Sequence, residues 1–226
     1  MNNEFRRRRS NIFAGSENRA FPLVVRKDGH QPIIFMQCGP VRHRVDAKQQ
    51  AAKRPFDHFV IVQPTAFLPT REESADGRVE FQSLYQEPIE DEQRSCRICA
   101  DVVESVRAGR SPLVLTERND HLERLEQMLA PSFAHVLALR AGMGMKQKQA
   151  MADRLAAISP EEPRVILATG TYVGAGYDDP RLDTLFLTLP VSWRGTIAQY
   201  AGRLHRLYDG KREVLIHDHA DLHVPS

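Results

Sequence analysis

Two stretches of this sequence carry residue types at spacings that chemistry can use. The first, ATGTYVGAGYDD at 168–179, places Gly170, Gly174 and Gly176 after the apolar run RVILAT and ahead of the adjacent carboxylates Asp178 and Asp179. Glycines let a backbone approach a ligand and turn its N–H groups toward an anion, and a carboxylate can accept hydrogen bonds from ribose hydroxyls. The loop therefore has the composition of a phosphate- or nucleotide-facing one. A glycine-rich turn closed by an Asp-Asp-Pro stop accounts for the same residues without a ligand. The second stretch, GTIAQYAGRLHR at 195–206, puts Arg203 and Arg206 three residues apart on one helical face, with Gln199 one turn upstream. Two guanidiniums that stay charged and grip phosphate oxygens bidentately suit a site that stabilises charge in phosphoryl transfer; a solvated basic helix face is the plain alternative.

The elements that must hold these residues follow from hydrophobic patterning. PLVLT (112–116), HVLAL (135–139), RVILAT (164–169), DTLFLTL (183–189) and EVLIHD (213–218) are apolar runs of strand length separated by segments of helical period. One helix is expected over 91–109, where Ile98, Val102, Val103 and Val106 share a face and Gly109 ends the run. Others are expected over about 120–129, from Gly142 and Gly144 to about Ile158, and over 195–207. Continuous apolar strands alternating with helices indicate a parallel sheet covered on both faces. In such sheets ligands sit beyond the carboxyl ends of the strands, which singles out the loops after Thr116, Leu139, Thr169 and Leu189. Upstream, PIIFMQC (32–38) and HFVIV (58–62) read as strands. Pro64, Pro69 and Pro88, together with REESADGRVE, mark 63–90 as a loop or irregular excursion. Three regions result: a poorly ordered basic arm over 1–30, lead-in strands with the acidic excursion and a first helix over 31–109, and the main lobe over 110–226.

Composition narrows the class. With 226 residues, 42% hydrophobic and 27% charged, the chain is neither collagenous nor wholly disordered. There is no apolar run of membrane-spanning length, and the cluster Arg6–Arg9 is followed by polar residues instead of an apolar core segment. No membrane span and no secretory leader are therefore expected, and the expected compartment is cytoplasmic. The net charge of +2 conceals an uneven distribution: residues 1–54 carry 12 Lys/Arg against 4 Asp/Glu, residues 55–109 carry 5 against 11, and residues 110–226 carry 14 of each. A solvated arm and a phosphate-contacting patch both fit the basic leading segment. Cys38, Cys96 and Cys99 cannot form a disulfide framework, and Cys96-x-x-Cys99 lacks a second pair. His217, His219 and His223 are explained as alternate residues of a strand and its tail, so no metal site is expected. Trp193 lies in a loop ahead of the arginine helix, either as a packing anchor or as a stacking surface.

Taken together and in this order, the segments resemble the second RecA-like lobe of superfamily 2 helicases. ATGTYVGAGYDDPRLDTLFL is similar to their motif V, and QYAGRLHR (199–206) to motif VI, whose usual form is Q-x-x-G-R-x-x-R. PLVLTER (112–118) is similar to motif IV and LRAGMG (139–144) to the block that follows it, so the resemblance covers about residues 110–218. RKDGHQPIIFMQCGPVRHRV (26–45) and VSWRGT (191–196) further resemble DEAD/DEAH-type helicases of bacterial restriction or conflict systems. The resemblance implies an α/β, RecA-like three-layer domain with a mostly parallel sheet and helices on both faces. It implies Arg206 as the arginine finger toward the γ-phosphate with Arg203 as companion, and Gln199, Gly176 and Asp178 on the nucleotide side. Thr116, Thr169 and Gly170 would lie along a nucleic-acid backbone, DNA or RNA. Tyr200 departs from the pattern, standing where many relatives carry another arginine.

A motor of that kind closes its ATP site between two lobes, the first bringing a P-loop of form G-x-x-x-x-G-K-[ST] and an acidic Mg²⁺ motif. Neither occurs here. The one Gly-Lys pair, Gly210-Lys211, is followed by Arg212, and IEDEQ (89–93) follows Pro88 and opens a helix instead of ending a strand. The chain is therefore expected to start just after the first lobe. It would share Mg-ATP with a P-loop-containing lobe, present in trans or lost, and be inactive alone. A non-catalytic nucleic-acid- or partner-binding module, a remnant of a truncated helicase, is the alternative. An unrelated nucleotide-binding α/β enzyme would rest on the glycine loop alone.

Overall fold

Strands that are apolar at every position need cover on both faces, and the fold provides it. The computed structural model of the protein describes residues 56–69, 81–174, 177–189 and 200–222. Its strands are β1 Asp57–Pro64, β2 Pro112–Thr116, β3 Val136–Leu139, β4 Val165–Thr169, β5 Thr184–Leu187 and β6 Glu213–Ala220. Its helices are α1 Phe81–Glu90, α2 Glu92–Arg107, α3 Asn119–Leu129, α4 Met145–Ala157 and the single turn α5 Gly170–Gly174, and residues 200–204 are also helical. The strands form one sheet in the order β1-β6-β5-β2-β4-β3, and every neighbouring pair is parallel.

Alternate residues of each strand serve two separate cores. On one face Val114, Val136, Ala138, Val165, Leu167 and Phe186 meet Ile98, Val102 and Val106 of α2 and Leu122, Leu125 and Leu129 of α3. On the other face Leu113, Leu137, Ile166, Leu185 and Ile216 meet Val173 of α5 together with Tyr200, Ala201 and Leu204. The result is the expected three-layer, RecA-like α/β fold. The helix expected over 91–109 is α2. Asp91 caps it by accepting the Arg94 N–H at 2.7 Å, and Gly109 leaves it at φ +79.

Two upstream features differ from the sequence reading. Residues 81–90, read as part of an irregular excursion, form α1; Pro88 lies within it and the helix stops two residues later. A proline removes one helical N–H and crowds the preceding turn, so it marks where a helix must end but does not prevent one from arriving there. The second difference is that β1 pairs along its whole length with β6, so the folded sheet draws in residues well upstream of 110. The strand expected over 32–38 and residues 195–199 of the helix expected over 195–207 lie outside the described residues; of the rest, 200–204 are helical and the helix stops there, three residues short. Among the described residues no helix is long and apolar enough to cross a membrane.

The helices are not equally anchored. α3 buries Leu122, Leu125 and Leu129 completely, whereas α4 has no buried residue and Met145 is 84% exposed. Removing side-chain atoms from a filled core forfeits both transfer energy and packing. Leu122→Ala is therefore expected to cost about 2–5 kcal/mol by urea denaturation, while Met145→Ala stays within about 0.5 kcal/mol. Equal effects at the two positions would contradict this layering.

Candidate functional site

In a parallel sheet all strands end on one edge, and the register here aligns the ends that matter. Thr116, the last residue of β2, lies beside Thr169, the last of β4, and Leu139 of β3 lies beside Ala168. The chain turns from Thr169 straight into α5, and from Thr116 through Glu117 and Arg118 into α3. The two threonine hydroxyls do not face outward: Thr116 and Thr169 are 2% and 3% exposed. Thr169 Oγ1 accepts the Ala141 N–H at 3.0 Å and so holds the loop after β3. Thr116 Oγ1 shares a 3.0 Å hydrogen bond with His121 Nδ1 and accepts the Arg118 N–H at 3.4 Å.

Gly170 marks where three segments converge. A Cβ added there would run into the hydroxyl of Tyr200 and lie 2.5 Å from Oε1 of Glu117. The Tyr200 hydroxyl donates to that same Glu117 oxygen at 3.3 Å. Burial, reinforced by the Glu117 charge, raises the Tyr200 pKa, so the phenol stays protonated and remains a donor. The loop after β2, the turn after β4 and the arginine-bearing helix therefore touch through one glycine. Tyr200, noticed in the sequence only as a departure from an arginine, is what the helix uses to make that contact.

The adjacent carboxylates divide their work. Asp179 is buried: it takes Arg164 Nη2 at 2.5 Å, the Tyr177 hydroxyl at 3.3 Å and the Arg181 N–H at 3.1 Å. Asp178 faces outward and pairs through Oδ1 with Arg206 Nε at 3.0 Å, with both side chains substantially exposed. That pair links the segment after α5 to the bend that follows the arginine helix: the helix stops at Leu204, so Arg206 does not share a helical face with Arg203 as the spacing suggested. Asp178 accepts its hydrogen bond from Nε of Arg206. Arg203 is half-buried, and its Nε is buried with no hydrogen-bond acceptor among the described residues. An unsatisfied buried donor of this kind costs free energy that an anionic oxygen would recover. Asp178 also stands at the rim of a cleft of about 620 Å³ lined by Leu139, Met151, Tyr172 and Tyr177. Gln199, Gly176 and Trp193 lie outside the described residues.

The remaining candidates have structural places. His205 packs edge-on against His58, ring centroids 4.7 Å apart. His219 donates or accepts a 3.0 Å hydrogen bond with Asp101, and His217 stacks on Phe186 at 4.4 Å. Cys99 is buried on α2 and its thiol is pushed up to about 12, mainly by burial, so it carries no thiolate at neutral pH. Among the described residues no three His, Cys, Asp or Glu side chains gather as metal ligands. Sequence reasoning missed Glu117, Tyr200 and Lys211; a glutamate directly after the motif IV-like strand and a tyrosine between Gln199 and Gly202 were the available signals.

No protein-family model matches this chain, and no curated protein matches it in sequence. Solved structures do. The C-terminal part of the Fun30 ATPase domain superposes with a TM-score of 0.50 at 16% identity, over 60% of this chain and 43% of that one. T4 UvsW superposes with a TM-score of 0.51 at 11% identity, over 64% of this chain and 28% of that one. The chain thus spans less than half the length of either, and at these identities the likeness is one of fold.

Two outcomes follow from the geometry. Gly170→Ala would gain helix propensity in open space, but here its methyl group meets Tyr200 and Glu117, so a loss of about 1–3 kcal/mol is expected. Gly170→Ala combined with Tyr200→Phe should recover much of it, and a neutral or stabilising single variant would refute the convergence. The second outcome concerns pH. Burial, with the Arg94 charge, pushes His121 down from 6.5 to about 3, and burial with the neighbouring His219 pushes His217 down to about 4. A base whose pKa falls on folding takes its proton more readily when unfolded, so this stability is complete above pH 6.5 and drains as pH falls toward the folded values. Asp183 and Asp218, raised by burial, oppose it only in the carboxylate range. Urea denaturation is expected to show a loss of roughly 1 kcal/mol per histidine between about pH 7.5 and about pH 5.5; a flat profile would contradict the neutral burial of these rings.

Proposed function

We propose that this chain is the second, C-terminal lobe of an ATP-dependent nucleic-acid helicase or translocase of the superfamily 2 type. The observation that carries the proposal is the Asp178–Arg206 ion pair. It joins the motif V-like segment to the end of the motif VI-like segment at the carboxyl edge of a RecA-like sheet, with the buried Nε of Arg203, which has no acceptor among the described residues, on the helix just before it. The sequence motifs, their order and the fold shared with an ATPase domain support the same reading.

Arg206 and Arg203 act as a charged fork toward the terminal phosphate of ATP, with Gln199, Gly176 and Asp178 on the nucleotide side. Asp178 keeps the Arg206 fork oriented before any ligand arrives, so less freedom is lost when phosphate is gripped. The residues present fit an anion, and among the described residues none gather as a metal cage, so Mg²⁺ would be held by the acids of a P-loop lobe. Bound there, Mg-ATP supplies the phosphoryl group whose transfer builds the charge that the two guanidiniums neutralise. Thr116, Thr169 and Gly170, expected along a nucleic-acid backbone, are all buried and would shape that side from beneath instead of touching it. The two threonines would contribute by fixing the loops at Ala141 and Arg118, and Gly170 by letting Glu117 and Tyr200 close over its backbone. The finer kinship to restriction or conflict-system helicases rests on residues 26–45 and 191–196.

The test is ATP turnover after the chain is combined with a P-loop lobe and nucleic acid. Arg206→Ala is expected to lower turnover by about 10³–10⁵-fold with the fold intact, and Arg203→Ala to impair it as well. Near-wild-type turnover in Arg206→Ala would overturn the assignment. Nucleic-acid binding with no turnover alongside any P-loop lobe would identify a non-catalytic binding module instead.

A further inference from the structure

The Gly210-Lys211 pair is no P-loop fragment, yet Lys211 occupies a built position. Residues 208–211 form a turn in which the Lys211 N–H donates to Tyr208 O at 3.1 Å, and Gly210 takes φ +83 at the third position, where a type II turn requires positive φ. The lysine side chain then runs past the Phe56 ring, with Nζ 5.8 Å from its centroid. Nζ ends among four backbone carbonyls, 2.7 Å from Pro180 O, 2.8 Å from Leu182 O, 3.0 Å from Leu204 O and 2.9 Å from Arg206 O. An ammonium has three N–H donors, so four acceptors at these distances saturate it.

These carbonyls come from two places. Pro180 and Leu182 follow the carboxylates Asp178 and Asp179; Leu204 ends the arginine-bearing helix and Arg206 lies two residues past it, where carbonyls lack intrahelical partners and a cation is favoured. One side chain therefore satisfies both segments at once. A compact ammonium can sit at the focus of converging carbonyls, whereas a planar guanidinium fork cannot reproduce that geometry.

We infer that Lys211 is a positioning residue, a tethered cation that holds the Asp178 segment and the Arg206 segment in register so that their ion pair forms. Its importance for phosphoryl transfer rests on the proposed function; the positioning itself does not, and it is read on the chain alone without nucleotide.

Amide hydrogen exchange on the intact 226-residue chain tests it. The Leu182 N–H donates to Asp179 O and the His205 N–H to Gly202 O, one in each segment and neither bonded to Lys211. In Lys211→Met, which keeps an unbranched stem and removes the donors, both amides are expected to exchange about tenfold faster or more, while amides within β2 and β4 are unchanged. Lys211→Arg is expected to behave like Lys211→Met. An unchanged rate at either amide overturns the inference, and so does an equal acceleration in β2 and β4, which a merely stabilising residue would give. Should the variants fail to fold, the wild-type chain decides: the Lys211 ammonium should give a slowly exchanging ¹H–¹⁵N signal, and exchange as fast as that of the exposed Lys146 overturns the inference. Loss of turnover in Arg206→Ala is measured separately, so this inference and the proposed function can fail independently.

Discussion

Everything at the candidate site depends on the register that sets Thr116 beside Thr169. Parallel strands emerge on one edge, and because β2 and β4 end level with each other, the loops that follow them start from adjacent points. There is then no space between those loops for a side chain at residue 170. Glycine at that position lets Glu117 and Tyr200 close over the backbone, which brings the arginine-bearing helix down onto the sheet edge. The outward pair of Asp178 and Arg206 is a consequence of that closure.

The frame around the site is stiffened by charges that never reach the surface. Arg94 on α2 donates to Asp221 at 2.8 Å and to the Thr188 carbonyl at 2.7 Å, and Thr65 also donates to Asp221, so the ends of β1, β5 and β6 are drawn to one helix. Arg164 and Asp179 tie the entry of β4 to the exit of the glycine loop in the same way. Buried ion pairs add little net stability once desolvation is counted, but removing one partner strands the other. Their effect is to fix which arrangement of loops is allowed. Exposed Asp178 and Arg206 carry no such burial cost and remain available to a ligand.

Strand and helix positions were readable in the sequence wherever local patterning agreed with burial. PLVLT and VILAT are strands buried at every position and VLI at the centre of β6 likewise, and α2 ends just before Gly109 because glycine accepts the positive φ that ends a helix. Legibility failed where one local signal was read alone. Pro88 suggested a loop, yet it sits within α1, which runs only two residues beyond it. The hydroxyls of Thr116 and Thr169 lie at strand ends, where ligands bind, but neighbouring backbone N–H groups and an imidazole claim them first. Lys211 gave no periodic or motif signal, because its partners are carbonyls, which every residue possesses.

The sequence by itself determined the parallel α/β architecture and the glycine-rich segment that follows β4, because these follow from the periods of burial and from where small residues stand. Tertiary structure decided which of two adjacent aspartates meets Arg206, that Tyr200 and Glu117 close over Gly170, and that Lys211 clamps both segments from below. Those outcomes depend on contacts between residues 28 to 83 positions apart for the side-chain pairs and on backbone carbonyls for the clamp. Neither separation along the chain nor residue type records where folding will make such groups converge.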